Sequence, residues 1–459
     1  MGQSRAETPA NSAATQPRLG RVLTLWDLIF YGIVLIQPVA PIPLFGVVQV
    51  LSHGYIVDTI ILAMFAMIIT AFSYGRMASV FPSAGSAYIY VGRGLNPHLG
   101  FLAGWAMFLD YLLQPILMAV WVAVAIHRLL PRIPYALVVF MFLVVIILLN
   151  LKGVRATAKA TQILLALMFI VIGAFFVLAV RFVFSMNGWG GIFSTLPFYD
   201  PKTFSFPAVA TATSLAALTY IGFDGVTTLA EDVENPKRNV LLATVLVCLF
   251  TGLFSILEVY LGQRVWPDYR TFPNPETAFW DVCRRAGGVA LFGGITAVTL
   301  VACFGSALTG TLAAARLLFS MGRDDVLPRR VFGYLSPRKN TPTYNICLIG
   351  LLAFVASLFI DFERAAELLN FGAFLAFMGV NLATFRQFYL VGVPGRRRHF
   401  ITDGLLPLLG FLFCFWIWCG LQTPAKVVGG IWLAIGLTYA AVKTRGFRER
   451  PIEIDFSEV

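Results

Sequence analysis

The chain has 459 residues, 58% hydrophobic and 12% charged, with a mean hydropathy of +0.80 and a formal net charge of +11. Soluble domains carry about 25% charged residues, so this composition excludes a soluble domain and reads as a polytopic, all-α membrane protein. Most of the 34 Lys and Arg fall on one set of alternate loops; the positive excess is therefore topological, and no nucleic-acid partner is expected.

Residues 1–20 are polar and lack an apolar h-region, which reads as a disordered tail and not a cleaved signal. Twelve spans follow, near 25–49, 57–80, 99–126, 134–151, 160–184, 206–232, 239–262, 288–321, 343–360, 366–390, 402–421 and 424–443. With the N-terminus inside, the basic loops place both termini in the cytoplasm.

The first span, LWDLIFYGIVLIQPVAPIPLFGVVQ, holds Pro38, Pro41 and Pro43 at its centre. Proline removes a backbone donor and clashes with the preceding turn. Lipid cannot satisfy the freed groups, so a broken helix at this depth lines a cavity or is buried in protein. Such a break marks the binding region of many transporters. The third span carries Asp110 and Tyr111 in LDYLLQP. The sixth, FPAVATATSLAALTYIGFDGVTTLAED, has Gly222 and Gly225 around Phe223 and Asp224, a second break five spans after the first. The seventh span contains Glu258, which either faces the interior or is hydrated near the outer helix end. Breaks in corresponding spans predict a 5+5 inverted repeat, with two extra C-terminal helices outside it. The boundaries are 1–20 for the tail, 21–390 for the transporter core, 391–443 for the accessory helices and 444–459 for a cytoplasmic tail. The loops at 185–205 and 263–287 hold aromatics and prolines and are candidate lids. The six cysteines and four histidines show no paired or metal-ligand spacing, so no metal site and no enzyme activity are expected.

Three composite stretches carry a family resemblance: FPSAGSAYIYVGRGLNPHLGFLAGW (81–105), YIGFDGVTTLAEDVENPKRN (220–239) and GSALTGTLAAARLLFSMGRDDVLP (305–328). At these residues the chain resembles the amino acid–polyamine–organocation (APC) superfamily. The resemblance implies a LeuT-like fold and alternating access. It also implies a substrate held between the first and sixth spans, with the third, eighth and tenth contributing. The Ala-Pro-rich first span is similar to that of bacterial putrescine and amine importers, which implies the bacterial inner membrane.

The substrate-binding candidates are Gln37, Val39, Ala40, Asp110, Tyr111, Tyr220, Gly222, Phe223, Asp224 and Asn370. In amino acid carriers of this fold, free N–H groups at the first break hold the substrate carboxylate. Here three donors are lost to proline, while Gln37, Val39, Ala40 and Ile42 keep theirs, so carboxylate binding is weakened but not excluded. Uncompensated acids in low dielectric take up a proton or await a cation, and aromatic faces favour an ammonium. The coupling and gating candidates are Asp110, Asp224, Ser306, Thr309 and Arg316. Ser306, Thr309 and Thr311 offer hydroxyls of the kind that hold sodium in this fold. Some proton-coupled relatives place a lysine mid-way along the fifth span; here that stretch is apolar and Lys159 lies at its cytoplasmic mouth. Arg316 is expected to meet Glu231, Asp232 or Glu234. The sequence thus predicts a secondary importer of a small amine, putrescine-like, with a coupled amino acid permease as the alternative. No cofactor is expected beyond H+ or Na+ as coupling ion. The partners are the substrate and the bilayer, in a monomer or homodimer.

Overall fold

A computed structural model describes residues 23–83, 85–152, 154–337 and 341–449. The expected tail at 1–20 and most of the one at 444–459 lie outside the described residues. Among those residues the structure is helical, apart from one backbone pairing of Leu23 with Val233. Ten helices are long and apolar enough to cross a membrane, and two shorter apolar helices complete the set.

The chain enters through α1 (Leu25–Ile36), where Thr24 and Asp27 form a reciprocal capping box that satisfies two donors at the helix start. α1 stops where Pro38 begins to constrain the backbone; Gln37 takes φ 75°. The chain resumes as α2 (Phe45–Leu51) and returns as α3 (Ile56–Val80). α4 (Ser86–Gly94) lies at the face where α1 began, and α5 (Pro97–Leu129) and α6 (Tyr135–Lys152) form an out-and-back pair. α7 (Val154–Ile192) bends at Gly188. The next crossing starts as α8 (Phe206–Ala216), breaks at Gly222 and continues as the 3₁₀ stretch Phe223–Asp232. α9 (Pro236–Val265) crosses back, and α10 (Ala278–Arg323) kinks at Gly288. The short α11 (Arg329–Phe332) precedes α12 (Thr343–Ser357) and α13 (Phe362–Phe385). A π-helical corner, 386–391 and 400–405, leads into α14 (Leu406–Cys419) and α15 (Thr423–Lys443). The described residues thus make twelve crossings, and both described ends meet one face, called here the N-terminal face.

Burial separates inner from outer crossings. Within the protein, 83% of the most apolar window of α5 and 78% of that of α13 are buried, against 28% for α6 and 22% for α15. The inner crossings include both broken ones. α14 packs on α13 and α3, and α15 on α5 and α13. Trp105 and Trp432 stack at 4.5 Å, and each indole N–H donates to the other's carbonyl. Gly429 and Gly436 let α15 approach so closely that a Cβ would lie 2.3 Å from Phe371 and 2.4 Å from Trp105. The accessory helices therefore brace the core. At the N-terminal face, buried Arg76 on α3 pairs with buried Asp403 in the π-helical corner and donates to the Thr402 carbonyl.

Candidate functional site

The two breaks face each other. Leu35 and Ile36 at the end of α1 touch Gly222, whose φ of 121° is open to glycine but costly for any other residue. The first break is self-satisfied. Gln37 N–H donates to Ile33 O (2.9 Å), Ala40 N–H to Gln37 O (3.1 Å) and Ile42 N–H to Val39 O (3.0 Å). Of the four donors expected to remain for a substrate carboxylate, three are thus spent on the chain's own turns. Only Val39 N–H makes no such bond among the described residues. In the second break, Asp224 sits in the first turn of the 3₁₀ stretch, where its carboxylate offsets the positive end of the half-helix.

Asp110 and Asp224 are both buried, at 1% and 0% exposure. Tyr111 OH donates to Asp224 Oδ2 and ties the third crossing to the sixth. Asp110 Oδ2 and Asp224 Oδ1 have no partner among the described residues, and neither acid forms an ion pair there. Phe223 is enclosed with Tyr74 (5.5 Å) and Phe377 (5.2 Å). Tyr220 points away from the acids, its OH donating to Ile60 O at 2.9 Å. Asn370 Nδ2 donates to Ser214 O (3.0 Å), leaving its Oδ1 unmatched. Ser306 OH donates to Leu35 O (3.0 Å) at the end of α1. Thr309 and Thr311 hydroxyls donate to carbonyls of their own helix, Gly305 O and Ala307 O.

A cavity of about 40 Å³ lies beside the first break, lined by Gln37, Ala40, Gln114, Met118, Trp121, Leu218, Ile221, Cys303 and Phe362 among others. It holds about one water, and neither Asp110 nor Asp224 lines it. Toward the face opposite the N-terminus it shares Pro43, Leu44, Trp121 and Phe362 with a vestibule of about 630 Å³. That vestibule is edged by Glu276, Asp361 and Glu363. Of the candidate lid at 263–287, residues 275–279 press on α2: a Cβ on Gly46 would lie 2.1 Å from Pro275 O.

Sequence reasoning missed Gln114, one turn beyond Asp110. Its amide donates to Ser306 Oγ at 2.6 Å, and its neighbour Met118 accepts from the Gln37 amide at 3.0 Å. A polar residue one helical turn after a buried acid was the available signal. It also missed Tyr31, whose OH donates to Thr309 O at 3.4 Å.

The N-terminal face is closed. Arg316 meets Asp232 at 2.7 Å and donates to Thr228 O. Arg323 lies 3.6 Å from Glu231 and 3.7 Å from Asp324. Tyr88 OH donates to Asp324 Oδ2 at 3.0 Å, and Leu23 pairs with the backbone at Asp232 and Glu234. Burial raises the Asp324 carboxyl above the usual carboxylate range, against the opposing pull of Arg323 and the Tyr88 hydrogen bond.

A family model described as amino acid permease matches residues 26–444. The low-affinity putrescine importer PlaP of Escherichia coli K12 is 32% identical over 434 residues, covering 94% of this chain and 95% of that protein. The branched-chain amino acid permease BcaP of Lactococcus lactis is 26% identical, covering 91% and 93%. The methylthioribose transporter of Bacillus subtilis is 26% identical, covering 91% and 92%.

Proposed function

This chain belongs to the amino acid permease family of the APC superfamily, an amine or amino acid importer by descent, and on that premise we propose that its substrate is a small organic amine of the putrescine type. The observation that carries the reading is the pair Asp110 and Asp224, buried with unmatched oxygens and no counter-charge among the described residues. A buried carboxylate must be paired or neutralised, and an ammonium group supplies both charge and donors. The spent N–H groups of the first break and the acid already seated at the start of the second half-helix both disfavour a substrate carboxylate. The 32% identical relative imports putrescine, which agrees.

The membrane is the bacterial cytoplasmic membrane, with the N-terminal face inside. The vestibule then opens outward and the Arg316–Asp232 network closes the inner gate, as alternating access requires. Coupling is to protons, carried by Asp110 or Asp224. Ser306 Oγ accepts from the Gln114 amide, and the Leu35 carbonyl accepts from the Ser306 hydroxyl, so each of these oxygens has one lone pair taken and fewer left for a sodium ion. The amino acid reading keeps one supporting feature, the unengaged Val39 N–H.

Competition uptake in proteoliposomes separates the two readings. With putrescine, cadaverine, arginine, alanine and phenylalanine as competitors, diamines are expected to inhibit and neutral amino acids to have no effect. Inhibition by alanine or phenylalanine without inhibition by diamines would overturn the amine assignment.

A further inference from the structure

One face of α9 carries buried polar groups that the substrate site does not use. Thr251, Ser255 and Glu258 recur at the spacing of a single helix face, with exposures of 2%, 0% and 1%. The alternative of a hydrated Glu258 near a helix end is thereby excluded. Neither carboxyl oxygen of Glu258, nor Ser255 Oγ, nor Thr251 Oγ1 has a hydrogen-bond partner among the described residues. For the hydroxyls this departs from the pattern of the molecule. Thr70, Thr213, Thr244 and Thr299 all donate to the carbonyl four residues back, the usual way a helix satisfies a buried hydroxyl.

The face has a direction. A Cβ on Gly252 would lie 3.2 Å from Tyr220, and Val247 and Val226 both lie against Gly32, so Thr251 stands in the part of α9 that packs on the turns around Asp224. Seven residues beyond Thr251, about 10 Å along the helix, Glu258 sits one turn before Gly262, where a Cβ would lie 3.2 Å from Phe279 in the opening turns of α10. The basic groups on the surrounding elements are committed or turned out. Arg264 donates to Gly191 O at 2.7 Å, and Arg285 stacks over Phe182 and Trp266. Arg181 on α7 and Arg284 on α10 are exposed, while Asp58 on α3 and Asp281 on α10 are half-buried. On the inner crossings, Tyr31 and Tyr220 donate to the Thr309 and Ile60 carbonyls. No ion pair reaches Glu258 among the described residues.

We propose that Glu258 carries a proton in this state and is the outer station of a proton path that runs along α9 through Ser255 and Thr251 to Asp224. A carboxyl without donors or counter-charge at this depth requires a proton or a cation. The oxygens of 251, 255 and 258 are spread over successive turns and do not close around one ion. Neighbouring groups on this face stand one helical turn apart, about 5–6 Å between Cβ atoms, so a proton passes between them through one bridging water per gap, each hydroxyl accepting from the outer side and releasing its own proton inward. The transfer leaves Glu258 as carboxylate and Asp224 as carboxylic acid, and the outer aqueous phase restores the proton to Glu258. The inference rests on the proton-coupled reading above.

The test compares wild type, Glu258→Gln and the double variant Thr251→Val with Ser255→Ala, in proteoliposomes. Putrescine counterflow at equal pH reports the substrate site, and accumulation driven by an imposed pH gradient reports the path. Counterflow is expected to persist in both variants. Gradient-driven accumulation is expected to fall to the gradient-free level in Glu258→Gln and to slow in the double variant. The infrared spectrum of Glu258→Gln should lose a protonated-carboxyl C=O band present in wild type. Wild-type accumulation by Glu258→Gln, an unchanged carboxyl region, or loss of counterflow in both variants each overturns the proposal. A wild type that ignores the pH gradient overturns proton coupling as well, which keeps the two failures distinct.

Discussion

Asp224 concentrates the chemistry of the site in one side chain. It starts a half-helix, accepts the Tyr111 hydroxyl and keeps one oxygen unmatched. Asp224→Asn keeps the shape and removes the charge, so uptake of a cationic substrate is expected to fall to background while the protein still folds; retained uptake would remove the residue from the mechanism. Tyr111→Phe deletes a hydrogen bond to a buried carboxylate, a loss of about 1–3 kcal/mol. The expected result is a raised KM for transport, with folded yield unchanged. Asp324 gives a pH-dependent signature at the closed N-terminal face. Its folded pKa is raised, so its stabilisation is complete below the ordinary carboxyl range and is lost as pH rises through the shifted value. Asp324→Asn mimics the protonated form. The Tm of that variant relative to wild type is therefore expected to climb with pH.

The elements that build the candidate site are the two broken helices, and each break is stabilised differently. Proline ends α1 by sterics, and the chain closes its own short turns across the gap. Glycine opens the sixth crossing, where φ of 121° is strained for any other residue and an added Cβ would lie 3.1 Å from Leu35, which would have to give way. Gly222→Ala is expected to cost about 1–3 kcal/mol of backbone strain and to push α1 from the sixth crossing, read as lowered Tm together with lost uptake. The Arg316–Asp232 pair at the N-terminal face belongs to this scale too, because it joins α10 to the end of the sixth crossing. Arg316→Ala leaves Asp232 largely buried without its partner. A cysteine accessibility assay is expected to show the N-terminal face opening in the absence of substrate.

At the scale of the whole molecule, the two breaks are held in a frame by the accessory helices. The reciprocal Trp105–Trp432 pair fixes α15 on α5, and the Arg76–Asp403 pair fixes the π-helical corner on α3. Both partners of that ion pair are buried, so Asp403→Asn strands an arginine and is expected to destabilise the protein by about 3–5 kcal/mol, seen as a lower Tm with no change in substrate preference. From the sequence these spans were two extra helices outside the repeat. The side-chain exchange across α5 and α15 commits the Trp432 face to the core of this chain.

Much of the fold was legible in the residues. The twelve crossings follow from hydrophobic length, the first break from three prolines in one span and the second from a glycine pair around an acid, because each is a local property of the chain. Arg316 was expected to meet one of three acids; that it meets Asp232, with Glu231 turned to Arg323, depends on helix rotation, which no spacing specifies. The same holds for the donors of the first break. Their number could be counted from the sequence, but their engagement in the chain's own turns required the backbone path. Gln114, Met118 and Tyr31 escaped notice because their importance comes from what lies opposite them on another helix. The sequence by itself determined a membrane transporter with a broken-helix site, since composition and backbone breaks are written residue by residue. Only the tertiary structure decided which polar groups are satisfied, and so which acids remain to receive a proton or an amine, because hydrogen bonds between helices depend on packing that spacing alone does not set.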